Sequence, residues 1–167
     1  MRPWSPMLRL AVLLLLPAAP GAMRAQQAPR TPPPVLEQYR AGFTEITGYL
    51  VRAAEMVPED RYGFRPVETV RTIGQMFGHI ADGNNYYCPR AGGTNPEWAE
   101  TVALSNASKA EIIAQLRRSI DACLAAHAPA NNARSMHLLA NLSHVSQHYG
   151  NIVTYLRIMG LTPPSTQ

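Results

Sequence analysis

The segment from Ser135 to Met159 is helix-periodic and mostly apolar, yet it cannot be buried as a purely apolar element. Leu138, Leu142, Val145, Ile152 and Leu156 recur at helical spacing and supply its apolar surface. A separate row, His137, Asn141, His144, His148, Asn151 and Tyr155, advances in steps of three or four. Residues at those steps lie one above another on a helix face. A buried polar group costs free energy unless it is paired, so this row needs partners on a neighbouring element. The segment therefore calls for a helical assembly whose interior receives polar side chains. A single metal ion would satisfy both His144 and His148, and neutral imidazole nitrogens are good ligands for zinc, nickel, iron or copper.

Three further segments carry helical periodicity, and none alternates as a strand would. The first runs over 36–56, with Leu36, Tyr39, Phe43, Ile46, Leu50 and Met56 on one face and Pro58 as its stop. Gly42 and Gly48 within it suggest close packing against a neighbour. Thr72 followed by Gln75 forms a capping box, so the second helix is expected from Thr72 to about Cys88, with Pro89 ending it. Ile73, Phe77, Ile80 and Tyr87 form its apolar side, while Gln75, His79, Asp82 and Tyr86 share a polar one. Ser108 and Glu111 make a second capping box, opening a helix to Ala126 on Ile112, Ile113, Leu116, Ile120 and Cys123. Gly160, with Pro163 and Pro164 beyond it, stops the last helix. The expectation is an all-α four-helix bundle, with a long second connection that leaves the topology open.

Residues 1–25 read as a secretory signal peptide: Arg2 and Arg9, the apolar run Leu10 to Leu16, then small residues up to Ala25. Cleavage is expected after Ala25, with Ala22 as the alternative. The apolar run is too short to span a bilayer, and no cysteine near the cut supports a lipid anchor. Residues 26–34 hold four prolines in nine positions and read as an extended linker, leaving 35–167 as the folded domain. The whole chain carries 15 basic and 11 acidic residues; losing Arg2, Arg9 and Arg24 with the leader leaves 12 against 11. That balance offers no basic patch for nucleic acid. An exported chain, periplasmic or secreted, is the expectation.

In an oxidising compartment, an even cysteine count favours pairing Cys88 with Cys123, with metal ligation or two buried thiols as rival readings. Closing a loop of that length would stabilise the fold by roughly 3–4 kcal/mol in the chain-entropy model.

His79, on the polar side of the second helix, is the natural third ligand beside His144 and His148. Three protein ligands with open positions describe a catalytic metal better than a structural one. Asn141, Asn151 and Tyr155 are placed to accept hydrogen bonds from the ring nitrogens that face away from an ion. His127 is expected to be exposed after the third helix, and His137 to sit near the cleft without binding the ion. Asparagines Asn131 and Asn132 belong to the following loop.

The run from Ser143 to Pro164 resembles the last-helix signature of the DinB-like family. Tyr62-Gly63-Phe64-Arg65-Pro66 and Thr72 to Ala81 are similar to that family's loop and second helix, so the likeness spans the chain beyond its leader. It implies an antiparallel four-helix bundle and a three-histidine metal site at His79, His144 and His148. It also implies a homodimer. The family pattern usually has Gln where this chain has Asn151, a departure that leaves the ligands untouched. Characterised members resemble thiol-dependent transferases and isomerases that use cytoplasmic low-molecular-weight thiols, which fits poorly with a leader peptide.

The combined expectation is an exported metal-dependent enzyme acting on a small-molecule substrate. Zinc or nickel leads, with iron or manganese also compatible. The reaction is of hydrolase or transferase type, with an activated water or thiol. Asp82, Tyr86 and Asn151 are candidates for proton transfer or substrate positioning, and Asp82, Glu55 or a bound hydroxide could act as base. Two other readings stand beside it: a non-catalytic bundle that binds a metal or small ligand, and a structural bundle whose histidines are buried and hydrogen-bonded.

Overall fold

The computed structural model describes residues 35–126 and 134–167. The expected leader (1–25), the proline-rich linker (26–34), His127, Asn131 and Asn132 lie outside the described residues. The described residues form four helices: α1 (Val35–Met56), α2 (Ile73–Gly92), α3 (Lys109–Ala126) and α4 (Ser135–Ile158). They pack as an antiparallel four-helix bundle in which α2 lies against α3 and α4, and α1 closes the other side against the same two. Single 3-10 turns at Glu59–Arg61 and Pro164–Thr166 shape the connection after α1 and the C-terminal tail.

Both capping boxes form. Thr72 Oγ1 accepts from the Gln75 amide at 3.2 Å, and Gln75 Oε1 accepts from the Thr72 amide at 3.0 Å. At α3 the Ser108 amide donates to Glu111 Oε2 at 2.8 Å. Each box pairs amides that the first helical turn would otherwise leave unbonded. The α4 stop is also as expected: Gly160 adopts φ +77°, and the Leu161 amide returns to the Leu156 carbonyl at 2.8 Å.

The end of α2 differs from the expectation. The helix does not stop at Pro89 but continues to Gly92. A proline there removes a bond to the carbonyl four residues earlier, on Asn85. Asn85 is exposed, and a missing helix bond costs least at such a position. The turn closes instead at Gly93, whose φ of +100° lets the Thr94 amide reach the Pro89 carbonyl at 3.0 Å.

The core is built from Phe43 and Leu50 of α1, Phe77 and Ile80 of α2, Leu116 of α3, and Leu138, Val145, Ile152 and Leu156 of α4, all fully buried. Each contributes on the order of 1.5–3 kcal/mol of hydrophobic stabilisation relative to exposure. Cys88 and Cys123 form a disulfide between α2 and α3, with Cα atoms 5.0 Å apart. Asn141 lies beside it, fully buried, donating to Asn84 Oδ1 at 3.0 Å and facing Cys88 Sγ at 3.3 Å. Asn84 in turn donates to Ser119 Oγ at 3.0 Å. One polar thread therefore joins α4, α2 and α3 at the level of the disulfide.

Candidate metal centre

α2 contributes His79, and α4 contributes His144 and His148 one turn apart. Gly83, one turn beyond His79, lets the two helices close in on each other: the His144 imidazole rests on its Cα, where a Cβ would overlap the ring. The three Nε2 atoms converge, with His79 3.1 Å from His144 and 3.2 Å from His148. Nitrogens bound to one ion at ordinary zinc distances would stand about 3.0–3.4 Å apart, depending on coordination angle. Among the described residues this is the one group of three His, Cys, Asp or Glu side chains close enough to hold an ion.

His79 is oriented from behind. Its Nδ1 lies 2.9 Å from Glu100 Oε1. An ionised carboxylate can only accept, so Nδ1 carries the proton and Nε2 of the neutral ring presents its lone pair to the cluster. Without an ion, that single lone pair would have to accept from both other rings at once. An ion held there would engage the lone pairs of all three. Glu100 is itself held by the Arg71 guanidinium at 2.5 Å.

The surroundings keep the rings neutral. Burial, followed by the His148, His79 and Arg71 charges, pushes His144 down to about 3. Burial, then His79 and Arg71, pushes His148 down to about 4. His79 is lowered by burial and Arg71, against an upward pull from Glu100. Neutral imidazoles are the metal-binding form.

Glu100 arrives on the connection between α2 and α3, and Asp82 holds that connection in place. The Asp82 carboxylate accepts from the Thr101 hydroxyl at 3.1 Å, the Val102 amide at 3.0 Å and the Ala103 amide at 2.9 Å. Gly78 provides the space: a Cβ there would come within 2.8 Å of Ala103 backbone atoms. The same connection places Trp98 over the cluster, its ring 5.5 Å from His79 and 6.2 Å from His144. Tyr86 packs on Trp98 at 5.3 Å, and Tyr87 faces His144 at 5.7 Å. Tyr87, expected on the apolar side of α2, thus forms part of an aromatic wall around the imidazoles.

A cleft of about 600 Å³ opens beside His148 and Glu100, lined also by Arg71, Gln75, Asn151 and Tyr155. Asn151 is exposed on its rim. Two expected hydrogen-bond acceptors serve elsewhere: Asn141 binds Asn84, and the Tyr155 hydroxyl donates to the Arg71 carbonyl at 3.1 Å. The reason is position along the helix axis: Tyr155 lies about two turns beyond His148, and Asn141 sits at the level of Asn84 and the disulfide. Glu55 pairs with Arg117 at 2.5 Å on the exposed α1–α3 side. His137 is half-buried and outside the cluster.

Glu100, Trp98, Arg71 and Gly83 were not singled out by pattern. The available signal was an acid and a tryptophan in an unusually long connection, where functional side chains tend to gather. A family model described as the DinB superfamily matches residues 42–152. No curated protein and no solved structure matches the chain.

Proposed function

The chain belongs to the DinB superfamily, and from that premise we propose that it is an exported metal-dependent enzyme with its centre at His79, His144 and His148. The observation that carries this reading is the convergence of three Nε2 atoms, with the His79 lone pair aimed inward by Glu100. A divalent ion, zinc or nickel, would be held there and would lower the pKa of a bound water or thiol.

The chain's own groups supply the rest. Glu100 holds the His79 proton on Nδ1, and Arg71 holds the Glu100 carboxylate in place. Trp98, Tyr86 and Tyr87 screen the imidazoles from bulk water on one side. Asn151, on the rim of the cleft, positions substrate. Asp82 acts by holding the connection that carries Glu100, not by moving a proton itself. The cleft, which reaches His148, favours an enzyme over a bundle that only stores metal. Hydrolysis and group transfer to or from a thiol are the reaction types such a centre supports. The disulfide, and the lack of any described helix long and apolar enough to cross a membrane, are compatible with export.

Metal analysis of protein purified from its native compartment tests the centre. Wild type should carry close to one divalent ion per chain and His144→Ala much less. Equal metal content in the two would overturn it. A screen of the metal-loaded protein against ester, amide and thiol-transfer substrates then tests catalysis, and turnover that disappears in His144→Ala supports it.

A further inference from the structure

We propose that the cleft beside the histidine cluster binds a small carboxylate, with Arg71 as the residue that takes its carboxylate group. The inference deepens the metal-centre reading, on which it rests for the other end of the ligand.

Arg71 is the one cation among the residues lining the cleft. Its backbone is pinned by the Tyr155 hydroxyl, and its guanidinium spends one nitrogen on Glu100. The side chain is 39% exposed, so the remaining N–H donors of the fork are open to a ligand. Gln75 adds direction. Its Oε1 is committed to the Thr72 amide, which leaves its NH₂ group as the free end of a side chain that lines the cleft. Asn151 brings a second carboxamide to the same cleft.

Charge argues the same way. Three neutral imidazoles bring no negative charge to a divalent ion, and Arg71 and Glu100 cancel each other. A loaded centre would retain an excess positive charge next to the cleft, which an anionic ligand offsets. A planar guanidinium fork suits a carboxylate. Phosphate sites commonly gather a helix N-terminus or a nest of backbone amides, and here the amides opening α2 are already taken, those of Thr72 and Gln75 by the capping box and those of Ile73 and Gly74 by the Phe64 and Tyr62 carbonyls.

Calorimetric titration of the zinc-loaded protein with succinate, and separately with inorganic phosphate, tests the proposal. Wild type should bind succinate in preference to phosphate. With zinc supplied at a concentration that saturates both proteins, Arg71→Gln should bind succinate about tenfold or more weakly with its helical circular dichroism retained, and Arg71→Lys should fall in between. Equal succinate affinity in wild type and Arg71→Gln would overturn the inference. So would tighter binding of phosphate, or no succinate binding by wild type at about 10 mM. If wild type binds no zinc, the metal centre fails separately. The same comparison on metal-free protein then decides the Arg71 site: a gap between wild type and Arg71→Gln supports it, and equal binding overturns it.

Discussion

Glu100 Oε1 lies 2.9 Å from His79 Nδ1, joining a connection without regular structure to the centre of α2. This contact decides which nitrogen of His79 is free for an ion. Replacing Glu100 with Ala should weaken zinc binding by about 10–100-fold, the usual effect of removing a carboxylate behind a ligating histidine. Competition titration against a chromophoric chelator measures it. An unchanged affinity would mean that Glu100 only pairs with Arg71.

Gly83 is the second determinant outside the three histidines. A methyl at Gly83 collides with the His144 ring, whereas a methyl at Gly42 meets only Leu142 Cδ2 at an ordinary 3.8 Å. Gly83→Ala should therefore lower zinc affinity by about tenfold or more as the ring is displaced. Gly42→Ala should leave it unchanged and raise stability by about 0.5–1 kcal/mol, the helix-propensity gain. Matching zinc affinities in the two variants would contradict the packing described here.

Acid should destabilise the metal-free protein through its histidines. In the fold burial pushes His144 down to about 3 and His148 down to about 4, both below the ordinary 6.5 of an unperturbed ring. Below pH 6.5 the unfolded chain takes up protons that these folded rings refuse, so unfolding free energy falls as pH falls. The loss should begin near 6.5 and level off once the pH passes the folded values. Urea unfolding between pH 7 and pH 4 reads it directly. His144→Ala with His148→Ala should flatten the profile, and an unchanged slope in that double variant would assign the effect to other groups.

The disulfide closes a loop spanning a sequence separation of 35 residues. Replacing Cys88 and Cys123 together with serine should cost about 3–4 kcal/mol of stability. Zinc affinity should change little, because the sulfurs contact Asn141 while the three histidines converge elsewhere on the helices. Urea denaturation and zinc titration of the same double variant separate the two effects.

Much of the architecture could be read from residues a few positions apart. Helix periodicity located all four helices, and Thr72–Gln75 and Ser108–Glu111 marked two starts, because capping is decided within one turn. His144 and His148 could be placed on one face for the same reason, and family likeness added His79. What needed the tertiary structure was everything set by contacts between distant segments. Glu100 reaches His79 from 21 residues away, and Arg71 reaches Glu100 from 29. Gly83 matters only because another helix lays a ring on it, and Asp82, read as a catalytic acid or base, is turned toward three groups of the same connection. Even Pro89, a reliable local stop signal, is carried inside α2, where the residue four before it, Asn85, is exposed. Local interactions specify helices and the faces they present; only packing decides which of those faces meet, and so which polar groups become a site.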